Sequence, residues 1–96
     1  MQGDYTNKME NQSDDKKWHL YILRCREGEL YTGITLDLER RFEEHQANGP
    51  KCAKYLRGKQ PLTMIYHHEF EDKSSALKAE IKVKKLTAEQ KRLLAC

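Results

Sequence analysis

The ordered part of the chain opens with alternating apolar and polar positions, which predict a β-hairpin. One alternating run covers about residues 18–25 and a second covers about residues 29–34. Such alternation is typical of half-buried strands. The segment between them is Arg26-Glu27-Gly28, and glycine takes the left-handed last position of a three-residue turn without steric cost. The pattern therefore predicts two antiparallel strands joined by a tight turn.

This turn determines which residues face each other across the hairpin. A three-residue loop pairs Cys25 with Glu29. Counting back along both strands, Tyr21 lies opposite Gly33, and Tyr31 is a diagonal neighbour of Tyr21 on the same face. A loop of two or four residues would put the two tyrosines on opposite faces. The glycine in the turn favours the first register.

Helical periodicity follows the hairpin. Residues 37–48 are predicted to form a charged helix, with Thr35 or Asp37 as its N-cap and Gly49-Pro50 at its end. The next segment, residues 51–60, forms either a short helical turn or an ordered loop.

One more strand and two helices complete the pattern. Residues 62–70 alternate well enough for a third strand, and residues 75–85 have a helical period. Thr87 and Gln90 have the spacing of a capping box, which predicts a short last helix. The predicted order is β-β-α-β-α-α.

Charge is distributed unevenly along the chain. The net charge is +3; residues 1–17 carry −1 and are expected to be a disordered polar tail, which leaves +4 on a single domain at residues 18–96. From Pro50 to Pro61 there is no acidic residue, and the basic ones are Lys51, Lys54, Arg57 and Lys59. This basic strip predicts a polyanionic partner, whereas the plainer alternative is a solvated connecting loop.

Cysteine and histidine placement narrows the class of protein. The three cysteines are widely spaced and odd in number, which argues against a disulfide framework and for a reducing cytoplasm. There is no Cys-x-x-Cys pair, and His67 and His68 point to opposite sides of a strand, so a zinc site is not expected. No apolar run reaches membrane-spanning length, and the amino terminus lacks the apolar core of a signal peptide. We expect a cytoplasmic monomer without a membrane partner.

Four side chains with catalytic chemistry are expected to converge near Gly33. Arg41 and His45 are four residues apart, so they share one helix face. Together with Tyr21 and Tyr31 they bring two phenols, a guanidinium and an imidazole to one place. On spacing alone the plainer interpretation comes first, because tyrosines are common in half-buried strands and Arg41 can pair with a glutamate of its own helix.

Glu80 has an unusual position on the helix predicted at residues 75–85. At about 100° per residue, the outer face is marked by Lys78, Lys82 and Lys85. Glu80 falls within the apolar arc, and so does Lys84. A carboxylate directed at a core is costly unless it is paired or binds a cation. An ion pair with Lys84 accounts for the pairing but not for the inward position, which favours a functional role for Glu80.

Together these residues resemble the GIY-YIG nuclease superfamily, and in particular its small stand-alone bacterial branch. Tyr21 matches the tyrosine of the first motif and Tyr31-Thr32-Gly33 matches the second, although His19-Leu20 replaces Gly-Ile and Thr32 replaces isoleucine. The run LYTGITLDLERRFEEH fits the branch most closely, and the similarity extends over about residues 18–94.

The resemblance implies an α+β fold, with a three-stranded antiparallel sheet flanked by helices. It also implies phosphodiester hydrolysis with one divalent cation, Mg²⁺ or Mn²⁺. Glu80 matches the metal-binding carboxylate, Arg41 the phosphate-contacting arginine and His45 the histidine of this branch. Tyr21 is the candidate general base and Tyr31 positions water or phosphate, or the two roles are exchanged.

The chemistry places further demands on the site. A phenol with a pKa of about 10 is a poor base at neutral pH. Tyr21 therefore needs positive charge from the metal, Arg41 or Lys84, or a proton relay through His45. We expect one solvent-accessible cleft with Gly33 at its floor, where Gly33, Lys84 and the basic strip contact substrate.

The predicted function is metal-dependent endonuclease activity on nucleic acid, with DNA preferred over RNA, in repair or processing. The alternative is a non-catalytic nucleic-acid-binding module with a degenerate site. Retention of both tyrosines, Arg41 and Glu80 favours the enzyme.

Overall fold

The structure, a computed structural model, describes residues 17–95 and has the predicted element order. Its elements are β1 (Trp18–Arg24), β2 (Leu30–Thr35), α1 (Leu38–Ala47), a 3₁₀ turn (Lys54–Leu56), β3 (Thr63–Phe70), α2 (Lys73–Lys84) and α3 (Ala88–Leu94). The strands form one antiparallel sheet in the order β2-β1-β3, so the predicted α+β fold is confirmed. The β1–β3 ladder shifts register between Ile22 and Leu23.

The hairpin has the register that its turn predicts. The Cys25 N–H donates to the Glu29 carbonyl oxygen over 2.8 Å, and Gly28 has a φ of 99°, in the left-handed region. Tyr21 consequently pairs with Gly33. Both hairpin tyrosines lie on one face of the sheet, as the loop length requires.

Helix α1 is bounded by two capping residues. The Asp37 side chain accepts the Arg40 N–H over 3.1 Å, whereas Thr35 Oγ1 accepts the Asp37 N–H over 3.1 Å. Of the two candidates, Asp37 is therefore the N-cap. At the other end Asn48 adopts the left-handed conformation, with a φ of 58°, one residue before Gly49.

The sheet separates two apolar clusters. The cluster on the face covered by α1 and residues 52–62 contains Tyr21, Leu23, Cys25, Cys52, Leu56 and Leu62, with Leu38, Phe42 and Tyr31 packed against it. The cluster on the opposite face, covered by α2, contains Leu20, Ile22 and Val83, with Leu30, Ile34 and Ala79 packed against it. Odd-numbered residues of β1 thus point toward α1, and this face carries the candidate site.

Helix α2 departs from its predicted start and from its predicted faces. It begins at Lys73 because Asp72 caps it, accepting the Ser75 N–H over 2.8 Å. The Glu80 side chain is 18% exposed, close to the inward position predicted for it. The Lys84 side chain is 56% exposed, so its inward placement was wrong. A long lysine stem can leave an apolar arc and carry its ammonium to water, which a helical wheel does not represent.

Helix α3 has the predicted capping box. Thr87 Oγ1 accepts the Gln90 N–H over 3.1 Å, and Gln90 Oε1 accepts the Thr87 N–H over 2.9 Å.

Two predictions concern residues outside the described part of the chain: the disordered tail, for its residues 1–16, and the reduced thiol of Cys96. Lys17, assigned to the tail, forms a 3.0 Å ion pair with Glu71 after β3. Cys25 and Cys52 are free thiols, and both are buried. Between residues 17 and 95 no helix is long and apolar enough to cross a membrane.

Candidate functional site

Tyr21 fills the space that the missing side chain of Gly33 leaves open. A Cβ at Gly33 would lie 2.6 Å from the Tyr21 hydroxyl oxygen and 2.8 Å from its Cζ. The phenol of the central strand thus lies across the edge strand β2, and Tyr21 is only 2% exposed. This differs from the expected open cleft with Gly33 at its floor, because the floor is covered by Tyr21 itself.

His45 is fully buried beneath this phenol, and its hydrogen bonds define its tautomer. The Ala53 N–H donates to His45 Nδ1 over 3.2 Å, so Nδ1 carries a lone pair. Burial, and after it the charge of Arg41, lowers the pKa of His45 to about 4, so the ring is neutral at pH 7. A neutral imidazole with a free Nδ1 carries its proton on Nε2.

The Tyr21 hydroxyl therefore accepts a hydrogen bond from His45 Nε2–H, over 3.0 Å. In this arrangement His45 cannot take the phenolic proton, because Nε2 already has one. The proton relay through His45, one of the alternatives that the sequence left open, is not supported by this geometry. His45 instead stabilises the phenolate form of Tyr21, because a phenolate oxygen accepts a hydrogen bond more strongly than a phenol oxygen does.

Opposing influences act on the Tyr21 proton. Burial raises the pKa of Tyr21 well above its ordinary value of 10, and Tyr31 raises it further. The Arg41 guanidinium lowers this pKa through its charge and a hydrogen bond, and the Glu80 carboxylate raises it. The phenol is therefore protonated at neutral pH, and additional positive charge near its oxygen would favour the ionised form.

Two acceptors hold the Arg41 guanidinium in place. Its Nη1 donates to Glu44 Oε1 over 2.9 Å and to the Lys51 carbonyl oxygen over 2.8 Å. The plainer interpretation, pairing with a glutamate of its own helix, is therefore correct for one edge of the guanidinium. The same guanidinium also lowers the pKa of Tyr21, so its charge acts on that phenol as well.

Tyr31 joins the cluster from the edge strand and is only partly buried. Its ring centroid lies 6.3 Å from that of Tyr21 and 5.6 Å from that of His45. Its ring also stacks on Tyr55, 6.0 Å away at an interplanar angle of 21°. Our sequence reasoning did not assign Tyr55 a role. Its position four residues before Lys59, in the strip without acids, was the available signal.

Glu80 approaches the site from α2, which covers the other face of the sheet. Its carboxylate influences the Tyr21 pKa, and its Oε2 lies 3.4 Å from Lys84 Nζ. No cluster of three or more histidine, cysteine, aspartate or glutamate side chains within residues 17–95 could hold a metal ion. A single carboxylate such as that of Glu80 fits a hard cation that draws its other ligands from water and substrate phosphate.

The basic strip divides into two parts. Lys51, Lys54 and Arg57 are exposed, although Arg57 also donates to the Pro50 carbonyl oxygen over 3.3 Å. Lys59 is held by other residues: its Nζ lies 3.8 Å from the Glu29 carboxylate and 3.6 Å from the centre of the Tyr55 ring.

The sequence is similar to a known protein family and to individual proteins of known sequence. A family model described as the GIY-YIG catalytic domain matches residues 17–93. A UPF0213 protein of Yersinia pestis (strain Pestoides F) is 54% identical over 80 residues, covering 83% of this chain and 82% of that protein. A UPF0213 protein of Yersinia pseudotuberculosis serotype O:1b has the same identity and coverage.

Two solved structures are similar in fold and sequence. The solution NMR structure of a UPF0213 protein from Bacillus halodurans is 37% identical, covers 81% of each chain and gives a TM-score of 0.51. The solution NMR structure of a protein from E. faecalis is 41% identical, covers 88% of this chain and 85% of that one, and gives a TM-score of 0.58.

Proposed function

The chain belongs to the GIY-YIG family, and from this premise we propose that it is a divalent-metal-dependent endonuclease acting on nucleic acid, on DNA in preference to RNA. The observation that carries the proposal is the Tyr21 hydroxyl, which accepts from a buried neutral His45 and lies beside Arg41 and Tyr31. Hydrolysis of a phosphodiester needs an activated water and neutralised phosphate charge. This cluster offers a base and a cation for those two tasks.

Tyr21 serves as the general base in this proposal, and its neighbours lower the cost of its ionisation. His45 donates to the phenolic oxygen, and Arg41 contributes its charge. The buried imidazole does not reach substrate, so His45 is a positioning residue. Tyr31, the more exposed phenol, positions the water or the phosphate.

Glu80 is the residue that would hold the cation, and the Lys84 ammonium competes with that cation for the Glu80 carboxylate. Lewis-acid stabilisation of the phosphate charge is the chemistry that a bound Mg²⁺ or Mn²⁺ supplies there. In the structure the Lys84 ammonium lies against one Glu80 oxygen, so it must move aside for that oxygen to serve as a ligand. Lys84 is then free to contact a phosphate.

The experiment is a cleavage assay on a panel of DNA and RNA substrates, single-stranded, duplex and branched, with and without Mg²⁺ or Mn²⁺. Glu80→Ala should abolish cleavage and leave binding largely intact, because basic residues provide the affinity. Loss of this half-buried carboxylate should leave the fold unharmed or more stable. Full, still metal-dependent cleavage by Glu80→Ala would remove Glu80 from the site.

The pH dependence separates the two phenols. Because burial raises the Tyr21 pKa, cleavage by the wild type should rise with pH through the alkaline range. Tyr21→Phe should lose this rise together with most of the activity, whereas Tyr31→Phe should keep the rise at a reduced rate. If Tyr31→Phe lost the rise and Tyr21→Phe kept it, Tyr31 would be the general base and Tyr21 the positioning residue.

A non-catalytic binding module is the second candidate, favoured by two observations. Tyr21 is protonated at rest, and Glu80 is already paired with Lys84. A protein that binds every substrate on the panel and cleaves none with either metal would establish this alternative.

A further inference from the structure

An open groove of about 300 Å³ runs along the outer side of strand β2, beside the candidate site. Its lining residues come from β2, the basic strip, α2 and α3, and are Leu30, Tyr31, Thr32, Tyr55, Lys84 and Lys91. Two aromatic rings and two ammonium groups thus share one small concavity. Base faces and phosphates are the two parts of a nucleotide that such groups bind.

Tyr55 is a half-exposed aromatic ring held in one orientation. It is 48% exposed, yet its ring stacks on Tyr31 at 6.0 Å and has Lys59 Nζ 3.6 Å from its centre. Because the Lys59 ammonium lies over this ring, a base can stack on that face only after the ammonium moves aside. The ring itself is already ordered and loses little conformational freedom when a base stacks on it. Because the Tyr55 ring stacks on Tyr31, a base on Tyr55 would lie next to the candidate catalytic cluster.

Thr32 gives independent support for a ligand in this groove. The residue is 3% exposed, and its Oγ1 is buried without a hydrogen-bond partner within residues 17–95. A buried hydroxyl without a partner costs free energy, and a polar atom of a bound molecule can remove that cost. Thr32 is one of the residues that line the groove.

We propose that this groove binds an unpaired nucleotide next to the scissile phosphate, with its base on Tyr55 and its own phosphate at Lys84 and Lys91. This inference rests on the proposed function and adds a substrate class to it. A base inside a duplex has both faces stacked on its neighbours, so only an unpaired or displaced base can use the Tyr55 ring. The substrate is therefore a single strand, or a junction that contains one.

Binding measured by fluorescence anisotropy in EDTA tests this without any need for cleavage. The probes are a labelled single-stranded oligonucleotide, the same strand in a duplex, and the same strand with abasic positions. Tyr55→Ala should weaken binding of the single strand about tenfold, as loss of one base–aromatic stack does. Its affinity for the duplex and for the abasic strand should be unchanged, and Tyr55→Phe should bind as the wild type does.

Two further variants address the phosphate and the hydroxyl. Lys91→Ala should make the slope of log affinity against log salt for single-strand binding shallower by about 0.7. Lys85→Ala, at an exposed position after α2, should change this slope less. Thr32→Val should bind the single strand more weakly although its thermal stability is equal or higher, since it loses an unpartnered hydroxyl.

Equal losses of affinity for single strand and duplex in Tyr55→Ala would overturn the proposal, as would unchanged binding by that variant or by Thr32→Val. The test is separate from that of the proposed function. A protein that binds as described but never cleaves would contradict the endonuclease and leave this groove as a binding site.

Discussion

At the scale of single residues, Gly33 and Tyr21 are a matched pair on neighbouring strands. We expect Gly33→Ala to displace the phenol, because the new Cβ would lie 2.6 Å from its hydroxyl oxygen. The Tyr21–His45 hydrogen bond should then be lost, and cleavage should fall by about 100-fold, the loss that a misplacement of about 1 Å can cause in a catalytic site. Steady-state kinetics on the best substrate of the panel measures this.

Gly49→Ala is the matched control, since a Cβ at Gly49 meets nothing within 4 Å. It should cleave at the wild-type rate. If Gly33→Ala also cleaved at that rate with an unchanged fold, the position of the Tyr21 hydroxyl would not matter for the chemistry.

His45 predicts how stability depends on pH. Its pKa falls from 6.5 in the unfolded chain to about 4 in the folded protein, so between these values the unfolded chain binds the extra proton. Stability should therefore be full above pH 6.5 and decrease as pH falls toward 4, by up to roughly 3 kcal/mol. Urea unfolding between these pH values measures the slope.

His45→Gln should flatten that slope, whereas the exposed His67→Gln should leave it unchanged. A slope that persists in His45→Gln would assign the acid sensitivity to other groups. Cleavage, where observed, should not require protonated His45, because the ring acts here as a neutral donor.

The sequence predicted which residues come together more successfully than it predicted their environment. The turn length was enough to place Tyr21 and Tyr31 on one face, because strand register is discrete. The tautomer of His45 depends on the N–H of Ala53, a residue of a loop whose path no periodicity determines. Burial of Tyr21 likewise depends on how closely it packs over Gly33.

At the scale of elements, the segment that carries the basic strip is held tightly by the rest of the chain. The Gln60 side-chain nitrogen donates to the His45 carbonyl oxygen over 2.7 Å, and the Gly58 N–H donates to the Asn48 side chain over 3.1 Å. The sequence left this segment as a helical turn or a loop, and the structure contains both. The backbone that carries its exposed cations is therefore anchored to α1.

For this segment we predict a salt effect. If Lys54 and Arg57 contact phosphates, replacing both by alanine should weaken binding equally across sequences and make the slope of log affinity against log salt shallower by about two units. The maximal rate at saturating substrate should change little, because uniform binding is lost. Titrations of one duplex at several salt concentrations provide the slope.

The control for this pair removes two exposed charges elsewhere, from Lys82 and Lys85 at the far side of α2. That variant should keep most of the slope. An unchanged slope in the Lys54/Arg57 variant would mean that the segment is only a connection.

For helix α2, the helical periodicity of the sequence predicted the buried face only in part. The wheel correctly placed Glu80 inward, since backbone direction determines where the side chain starts. It failed for Lys84, and Leu77 and Ile81 are exposed at 40% and 56%. A short helix that packs on one face of a small sheet buries a narrower stripe than its apolar residues could fill.

At the scale of the whole molecule, the central strand β1 contributes side chains to both faces of the sheet and so connects α1 with α2. Its odd-numbered side chains carry Tyr21 to the α1 face, and its even-numbered side chains anchor α2, which carries Glu80. The sequence predicted that β1 and β2 are neighbours in a hairpin, but the hydrophobic pattern did not predict that β3 pairs with β1.

The last prediction concerns the predicted tail. The family match starts at residue 17 and β1 starts at Trp18, so a protein that lacks residues 1–16 should keep its melting temperature and its cleavage rate. Those residues contain four acids and two bases, so their removal raises the net charge from +3 to +5 and should strengthen binding to nucleic acid modestly at low salt. Circular dichroism melting and anisotropy titrations measure both quantities. A melting temperature lowered by several degrees would mean that the domain needs the segment for its stability, and weaker binding would mean that the segment itself contacts substrate.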